Sequence, residues 1–304
     1  MSAPPQKHAP LSSQTIRELP AEAVERLLTA ALEEDRGAGD LTTESAVPEG
    51  TRARARLIAR EDGVVCGLGV FARTFELCDP GARVSLERVD GDRVRAGLEV
   101  ATVEGDGRAL LIAERTALNV LQRLSGIATR TAAFVELAAG RARILDTRKT
   151  TPLLRLFEKY AVHCGGGENH RFGLYDEVLL KENHIDLAGR PIEEVLRDLR
   201  AKVGDDVRMT AEARDADEAR AAIRGGADVV LLDNMSPAMM QGLVAPLREL
   251  ADECGRVVEL EASGNINLET VAGVAATGVD RISVGGLTHS VQALDFSLYL
   301  EPST

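Results

Sequence analysis

Six short apolar segments alternate with helix-like segments in the second half of the chain, and this alternation is the strongest constraint on the fold. The apolar segments read RILDT, EVLLKENHI, VRMTAEA, VVLLDN, VVELEA and RISVGG. Stretches rich in Ala, Leu, Glu and Arg, such as 215–224 and 237–252, separate several of them. Such alternation is typical of a parallel sheet covered by helices. Six strands are fewer than the eight of a closed α/β barrel.

The first part of the chain shows a different pattern. Residues 19–34 have apolar side chains at helical spacing, and a Gly- and Asp-rich stretch predicted as a turn leads to the strand-like ARARLIARE. Gly67-x-Gly69-x-x-Ala72 matches a dinucleotide-binding fingerprint weakly, because glycines also serve strand–helix packing. Short strands separated by Asp-Gly, Ala-Gly and Glu-Gly turns then resemble the hammerhead of lipoyl and biotinyl carriers. A carrier needs a modifiable lysine, and none lies between Lys7 and Lys149.

A long helical pattern over 112–139 leads from the first part into the second. We predict one or two helices here, with a hinge at Ser125–Gly126. Residues 1–17 lack an apolar core of the kind found in signal peptides and are predicted to be a disordered tail.

Composition excludes several classes of protein. The net charge is −12, aromatic residues make up 3% of the chain, and Trp is absent, so nucleic-acid binding is not expected. No segment approaches a membrane span. The four cysteines form no CxxC pair, which indicates neither a zinc site nor a disulfide framework and favours the reducing cytoplasm. They are Cys66, Cys78, Cys164 and Cys254.

Cationic residues follow two of the predicted strands and surround a run of three glycines. Arg148 and Lys149 come after RIL, whereas Lys181 and His184 come after VLL. Between these segments lies GGGENHR, which contains His170 and Arg171. Glycines let the backbone approach a ligand closely, and sites in α/β folds gather at the carboxyl ends of strands. The alternative is a flexible loop flanked by solvated charges, but the placement of the cations favours an anion site.

The later strands end in carboxylates and then in small residues. Glu212 and Asp233 come from the middle strands. Glu212 could instead be an acid at a helix N-terminus, and Asp233–Asn234 could instead be a cap before Ser236–Pro237. The last two strands end in Gly-rich loops of the kind that bind phosphate through backbone N–H groups. Their residues are Ser263, Gly264, Asn265, Gly285 and Gly286.

The motifs DTRKTTP, KYAV-x-C-GGG-x-NHR-x-GLYD and L-K-E-N-H-I, in this order, resemble the quinolinate phosphoribosyltransferases, a type II phosphoribosyltransferase family. The similarity extends from about residue 34 to the C-terminus. The chain departs from the family at Leu153, where Gly is usual, and at His163, where Lys or Arg is common.

The resemblance implies an incomplete α/β barrel at 126–289 and an N-terminal α/β sandwich domain at 18–125, to which 290–304 returns. It implies transfer of phosphoribose from phosphoribosyl pyrophosphate to quinolinate, with decarboxylation to nicotinate mononucleotide, in a cytoplasmic homodimer. Glu212 and Asp233 would hold the ribose and, indirectly, a Mg²⁺ ion that bridges the pyrophosphate. They would act in catalysis with Lys149 and Lys181. The quinolinate site would comprise Arg148, Lys149, His170, Arg171, Lys181 and, from the neighbouring subunit, Arg115. The phosphoribosyl site would comprise Glu212, Asp233, Ser263, Gly264, Asn265, Gly285 and Gly286.

Three other functions compete with this interpretation. One is that of a family paralogue recruited to another pathway, but such paralogues usually lose the L-K-E-N-H segment that is present here. A phosphoribosyltransferase acting on a monocarboxylate such as nicotinate would need fewer cations than this cluster offers. A non-catalytic anion-binding protein would gain nothing from the carboxylates Glu212 and Asp233. A type I phosphoribosyltransferase is not expected, because Met-Ser-Pro follows Asp233–Asn234 in place of the Thr-Gly-x-Thr turn.

Overall fold

The computed structural model describes residues 15–303, and its internal contacts divide the chain into two units. The barrel unit contains Ala133–Thr150 and Gly167–Gly286. The N-terminal unit contains Ile16–Ala132, Thr151–Gly166 and Leu287–Thr304. This division falls inside a helix, whereas the sequence-based boundary between residues 125 and 126 stays a prediction. The predicted tail lies outside the described residues except for positions 15–17.

The elements of the first part of the chain are, in order, α1 (Ala21–Arg36), α2 (Leu41–Ala46), β1 (Arg52–Ala59), β2 (Gly63–Val64), α3 (Leu68–Cys78), β3 (Arg83–Leu86), β4 (Arg93–Val94), β5 (Glu99–Asp106) and α4 (Gly107–Ala138). Helix α2 lies inside the stretch that was predicted to be a turn. Asp40 caps it, because its carboxylate accepts hydrogen bonds from the backbone N–H groups of Thr42 and Thr43.

The remaining elements are β6 (Arg143–Leu145), α5 (Arg155–Cys164), β7 (Val178–Leu180), α6 (Glu182–Ala188), α7 (Ile192–Val203), β8 (Met209–Ala213), α8 (Ala216–Gly225), β9 (Val229–Asp233), α9 (Pro237–Glu253), β10 (Glu259–Ser263), α10 (Val271–Ala275), β11 (Arg281–Ser283), α11 (Gly286–His289) and β12 (Phe296–Pro302). Within residues 15–303, no helix combines the length and the apolar character needed to cross a membrane.

An antiparallel sheet in the order β12-β1-β5-β3 forms the base of the N-terminal unit. The strand β1 alternates exposed arginines with buried residues such as Ala55 and Leu57, which is the period of a strand with one face in the core. The C-terminal strand β12 pairs with β1 along its whole length, with Leu298 opposite Leu57. The last segment of the chain is therefore part of the same sheet as the first strand.

The fingerprint that begins at Gly67 has a packing role. Strand β2 before it pairs antiparallel with β4, so no strand–helix–strand unit for a dinucleotide is present here. Gly67 precedes α3 with φ 100°, a conformation that favours glycine, and a Cβ at this position would lie 3.0 Å from Leu124. The glycine allows a tight turn against α4.

Helix α4 is continuous, so the predicted hinge at Ser125–Gly126 is wrong. Both residues make close contacts with the backbone of other segments of the N-terminal unit. The Ser125 hydroxyl is bound to the backbone N–H and C=O of Cys66 at 2.9 and 3.2 Å. A Cβ at Gly126 would lie 2.2 Å from the backbone oxygen of Gln292, so the glycine lets the C-terminal segment approach the helix.

A single parallel sheet organises the barrel unit. In the described residues its six strands follow the order β6-β11-β10-β9-β8-β7, with β6 and β7 at the two open edges. All neighbouring pairs are parallel, and helices α7, α8 and α9 connect successive strands. The prediction of a parallel sheet in an incomplete α/β barrel, beside a separate N-terminal domain, is confirmed.

We expect Gly126→Ala to destabilise the protein by about 1–3 kcal/mol, because the added methyl group meets a backbone oxygen that cannot rotate away. The measurement is the free energy of unfolding in urea. Gly242→Ala is the matched control: Gly242 lies in α9 with nothing within 4 Å of its Cβ position, so this variant should gain about 0.5–1 kcal/mol. Equal stability changes in the two variants would contradict the packing role of Gly126.

Candidate active site

The register of the parallel strands places charged residues in one row on one face of the sheet. Glu261 is level with Leu231 on one side and with Arg281 on the other, and Glu212 is level with Leu231. Residues paired in this way share a face, and so does Asp233, two positions beyond Leu231. One face of the sheet therefore carries three carboxylates and an arginine.

The carboxyl ends of four strands are also level with one another. Ser263 at the end of β10 pairs with Asp233 on β9 and with Ser283 on β11, and Ser283 pairs with Leu145 on β6. The loops that follow these strands therefore begin at the same edge of the sheet. These loops contain several of the predicted site residues, as expected for a barrel mouth.

A fully buried carboxylate lies at the centre of the charged row. Arg281 Nε is 2.7 Å from Glu261 Oε2, and His170 Nε2 is 3.5 Å from Glu261 Oε1. Burial by itself raises the pKa of Glu261, but His170 and Arg281 outweigh it and lower this pKa to about 2. Glu261 is therefore ionised at neutral pH and holds Arg281 and the His170 ring beside it.

The loop that carries His170 is fixed from the other side by Asp146. The Asp146 carboxylate accepts hydrogen bonds from the His170 backbone N–H at 2.9 Å and from the Asn169 side chain at 2.7 Å. The His170 ring Nδ1 accepts the backbone N–H of Arg171 at 2.8 Å. With Nδ1 accepting and Nε2 facing Glu261, the ring is oriented by protein groups on both sides. Its predicted contact with a substrate carboxylate stays a prediction.

Arg171 is a buried cation close to a second one. Its Nη1 donates to the backbone oxygen of Glu177 at 3.1 Å, and its buried Nε has no hydrogen-bond partner among the described residues. Burial, followed by the charge of Arg148, lowers the pKa of the Arg171 guanidinium. Two guanidinium groups that repel each other are favourable for an anion, which would relieve the repulsion. Lys149 follows Arg148 at an exposed position.

Glu212, Asp233 and Lys181 form the second charged group. Burial and then the nearby Asp233 raise the pKa of Glu212, whereas Lys181 and the backbone N–H of Glu182 lower it. Lys181 is exposed at the start of α6, where its backbone N–H donates to His184 Nδ1 at 2.9 Å. Two adjacent carboxylates are suited to a cation, and the neighbouring ammonium group of Lys181 is suited to an anion.

The loops after β9 and β10 are joined by side-chain amides. Asn234 donates through Nδ2 to Asp233 Oδ2 at 2.6 Å, and its Oδ1 accepts from Asn265 Nδ2 at 3.0 Å. Both asparagines have positive φ, 53° and 51°. Gly264 is the first residue after β10 and has φ 90°. A Cβ at this position would lie 2.2 Å from Asn234 Oδ1. Glycine is therefore required at this position, and Asn234 orients the Asp233 carboxylate.

The other predicted site residues are Gly285, Gly286 and Arg115. Gly285 and Gly286 follow β11, and Gly286 is the last residue of the barrel unit. Arg115 belongs to the N-terminal unit, where it is exposed on α4 and its charge lowers the pKa of the adjacent Glu114, which burial raises. Its relation to the barrel unit stays a prediction.

The departure from the family at Leu153 has a structural explanation. Leu153 has φ 67°, a left-handed conformation that Gly adopts freely and that costs other residues about 1–3 kcal/mol. Its side chain is 97% exposed, so no steric contact opposes the larger residue. His163 is partly buried, and this burial lowers its pKa.

Sequence analysis missed the residues that position the candidate site. Glu261 and Arg281 are charged residues inside otherwise apolar strands, which is the signal that would have identified them. Asp146 was part of the DTRKTTP motif without an assigned role, and Asn234 was interpreted only as part of a helix cap. Asp146 and Glu261 position His170, and Asn234 positions Asp233, whereas Arg281 acts through Glu261.

We expect Glu261→Gln to destabilise the protein by about 1–3 kcal/mol at pH 7, because it removes the buried carboxylate beside Arg281 and leaves only Glu259, 3.4 Å from Arg281 Nη1, as a counter-charge. The ionised carboxylate stabilises the fold fully above its ordinary pKa of 4.5, and this contribution is lost as the pH falls towards about 2. The difference between wild type and variant in urea unfolding should therefore shrink between pH 4.5 and pH 3.

Asp198→Asn provides the control for this measurement, since it removes the exposed ion pair of Asp198 with Arg190. This variant should unfold like the wild type. A Glu261→Gln variant that is as stable as Asp198→Asn would contradict the central role of Glu261.

Comparisons with known proteins place both parts of the chain in one family. Residues 127–299 match the C-terminal domain of quinolinate phosphoribosyl transferase, and residues 40–125 match its N-terminal domain. Quinolinate phosphoribosyltransferase [decarboxylating] 1b of Nicotiana tabacum is 41% identical over 286 residues, covering 90% of this chain and 81% of that protein. The probable nicotinate-nucleotide pyrophosphorylase [carboxylating] of Bacillus subtilis is 41% identical over 276 residues, covering 90% and 92%.

A solved structure agrees with the sequence relatives. The nicotinate-nucleotide pyrophosphorylase of Francisella tularensis superposes with a TM-score of 0.87 at 36% identity, covering 95% of this chain and 100% of that one. Sequence and fold together show that this chain belongs to the quinolinate phosphoribosyltransferase family.

Proposed function

We propose that this protein transfers phosphoribose from phosphoribosyl pyrophosphate to quinolinate and removes CO₂, giving nicotinate mononucleotide in NAD biosynthesis. One observation carries the proposal: Arg148, which follows β6, lies close to Arg171, and Glu212 and Asp233 lie close together on β8 and β9 of the same parallel sheet. The cations suit a dicarboxylate acceptor, and the carboxylates suit a ribosyl donor that develops positive charge. Family membership indicates the substrates, because the relatives reported above are named quinolinate phosphoribosyltransferase and nicotinate-nucleotide pyrophosphorylase.

The acceptor binds through the cationic group. Arg148 and Arg171, whose charges repel each other, gain most from an anion between them, and an arginine fork matches a carboxylate in two-point geometry. Lys149 and Lys181 complete the clamp with point charges. His170 contributes either a contact of its own or the orientation of Arg171, because its ring accepts the Arg171 backbone N–H.

The donor binds at the carboxylates and the late loops. Ser263, Gly264, Asn265, Gly285 and Gly286 receive the 5′-phosphate through backbone and small side-chain donors. As the bond from the anomeric carbon to pyrophosphate breaks and the bond to the ring nitrogen forms, positive charge grows on the ribose. Glu212 and Asp233 stabilise this charge, and Asn234 holds Asp233 in position.

The Glu212–Asp233 pair also fits a magnesium ion. Proximity of Asp233 contributes to the raised pKa of Glu212, and a hard divalent cation nearby would relieve this repulsion. When bound with pyrophosphate, Mg²⁺ neutralises the leaving group.

Decarboxylation follows once the ring nitrogen is quaternised. The bond between ring carbon 2 and its carboxylate breaks, and the electron pair left on that carbon is stabilised by the adjacent positive nitrogen. A proton from a cationic side chain such as Lys149 or Lys181, or from water, completes the product. CO₂ and pyrophosphate leave in equal amounts.

The function is tested with purified protein, phosphoribosyl pyrophosphate and Mg²⁺, with quinolinate or nicotinate as acceptor. We expect nicotinate mononucleotide from quinolinate alone, with one CO₂ released for each nucleotide. Nucleotide formed from nicotinate without CO₂ would identify a monocarboxylate enzyme. Binding of quinolinate without turnover would identify a non-catalytic anion binder.

We expect Arg148→Ala or Arg171→Ala to raise the KM for quinolinate about 30-fold or more, because losing one desolvated charge pair costs about 2–5 kcal/mol. The KM for the donor should change little. Arg220→Ala, which removes an exposed arginine of α8 paired with Asp217, is the matched control and should leave both KM values unchanged. Equal damage to both substrates would assign the cluster to the wrong ligand.

We expect Glu212→Gln and Asp233→Asn to lower kcat about 100-fold or more with little change in quinolinate binding, because their charges act on the transition state. Glu249→Gln, at an exposed position of α9, is the control and should keep wild-type kcat. Steady-state kinetics at saturating Mg²⁺ measure both quantities. Near-wild-type kcat in both site variants would exclude this assignment.

We also propose that the protein acts in the cytoplasm as a homodimer, with Arg115 of one subunit completing the quinolinate site of the other. The exposure of Arg115 is compatible with this role. The alternative is an intrachain pairing on the surface of α4, where Glu114 is adjacent.

Subunit mixing distinguishes the two arrangements. Inactive Arg115→Ala and Lys181→Ala subunits, mixed and exchanged, should recover about one quarter of wild-type activity, because about half the dimers are hybrids with one intact site. Mixing Lys181→Ala with Arg171→Ala is the control, since both residues belong to the barrel unit of one chain and no intact site can form. No recovery with Arg115→Ala, despite exchange verified by mass, would place Arg115 in its own subunit's site or outside any site.

A further inference from the structure

Two cysteines of the N-terminal unit lie side by side although they are far apart in the sequence. The sulfur atoms of Cys66 and Cys164 and a carboxylate oxygen of Asp90 all lie within 4.8 Å of one another. None of these residues belongs to the sites described above. Both cysteines are free thiols.

Helix α4 fixes this arrangement. The Ser125 hydroxyl binds the backbone of Cys66, at its N–H and its C=O. Gly165, directly after Cys164, packs so closely that a Cβ would lie 2.4 Å from the backbone oxygen of Ala128. Ser125 and Ala128 are three residues apart and therefore neighbours on one face of the helix. Both cysteine backbones are thus held at the same turn of α4.

The surroundings favour thiol chemistry over a metal site. The Asp90 carboxylate is already engaged: Oδ1 accepts the backbone N–H groups of Gly67 and Leu68, and Oδ2 accepts the Tyr160 hydroxyl at 2.7 Å. Asp90 therefore caps helix α3 and orders Tyr160. Two cysteines and this one carboxylate also provide three ligands, whereas structural zinc sites have four.

The two thiols differ in access to solvent. Cys66 is completely buried, and burial, followed by the adjacent Cys164 and Asp90, raises the pKa of its thiol. Cys164 is partly exposed at the end of α5. An oxidant from solution therefore reaches Cys164 first, and Cys66 is placed to react with the product.

We propose that Cys66 and Cys164 are a redox-sensitive pair that closes to a reversible disulfide under a two-electron oxidant such as a peroxide. The Cys164 thiolate attacks a peroxide oxygen, the O–O bond breaks, and water leaves with the thiol's proton to give a sulfenic acid. The Cys66 sulfur then attacks the sulfenyl sulfur, the S–O bond breaks, and a second water leaves with the Cys66 proton. Two thiols and one H₂O₂ become one disulfide and two waters.

The geometry requires little movement. The sulfur atoms are at most 4.8 Å apart, and a disulfide bond is about 2.05 Å long, so the two side chains together close less than about 3 Å. Reduction by a dithiol reverses the step. In a reducing cytoplasm the pair remains open until an oxidant appears.

Peptide mapping of the wild-type protein tests the proposal without any substitution. After treatment with equimolar H₂O₂ under native conditions, we expect a peptide pair linked through Cys66 and Cys164, two hydrogens lighter than the reduced peptides and released by dithiothreitol. Cys78 and Cys254 should remain free thiols. A linked peptide that uses Cys78 or Cys254, or Cys164 driven to sulfinic acid without a link to Cys66, would overturn the proposal.

Variants test the order of the two steps. In Cys66→Ser the sulfenic acid at Cys164 should persist and be trapped by dimedone, whereas Cys164→Ser should leave Cys66 unlabelled. Cys254→Ser, at an exposed position, is the matched control and should form the disulfide like the wild type. Dimedone labelling of Cys66 in Cys164→Ser would contradict the assigned order, and circular dichroism establishes that each variant is folded.

Thermal unfolding and zinc binding give independent readouts. A disulfide that closes a long loop should raise the unfolding midpoint of the oxidised wild type by about 5–15 °C relative to the reduced form. The oxidised Cys164→Ser protein should show no such rise. Stoichiometric Zn²⁺ binding that requires both cysteines and blocks oxidation would identify the pair as a metal site and overturn the proposal.

Discussion

The buried ion group around Glu261 is the interaction on which the barrel unit depends. Its carboxylate is completely buried between Arg281 and His170, and these two residues keep its pKa at about 2 in spite of the burial. A fully buried carboxylate stabilises the fold only while the residues that neutralise it and hydrogen-bond to it are present. The group therefore couples strands β10 and β11 to the loop that carries His170. Through the hydrogen bond from the Arg171 backbone to the His170 ring, the core of the sheet also orients the loop that holds Arg171.

The charged residues of the candidate site form two groups, one cationic and one anionic. Arg148 and Arg171 repel each other, as do Glu212 and Asp233, and both repulsions cost stability in the protein without ligands. Ligands of opposite charge would remove this cost. The proposed dicarboxylate acceptor would do so at the two arginines, and the proposed donor with Mg²⁺ would do so at the two carboxylates. Asn234 and Asn265, both with positive φ, show that backbone strain is located at the same edge.

Close packing against α4 has the corresponding role in the N-terminal unit. Ser125 and Gly126 were predicted to be a hinge, because Ser-Gly pairs commonly interrupt helices. In the structure they are contact points, since Ser125 binds the backbone of Cys66 and Gly126 admits the C-terminal segment. Small residues on a buried helix face permit approach of another backbone as readily as they permit bending. The Ser125 contact, together with the packing of Gly165 against Ala128, brings Cys66 and Cys164 together.

The sequence by itself determined the parallel sheet, its incomplete barrel and the family, because apolar periodicity and an unbroken block of motifs are local properties. It also indicated the cations and carboxylates, since charges at strand ends are visible along the chain. It did not reveal the continuous α4, the short α2, or the positioning roles of Glu261, Arg281, Asp146 and Asn234. Those depend on strand register and on which backbones touch, and contacts between residues distant in the chain leave no periodic signal. The nearness of Cys66 to Cys164 is of the same kind, because only the tertiary structure brings both to one turn of α4.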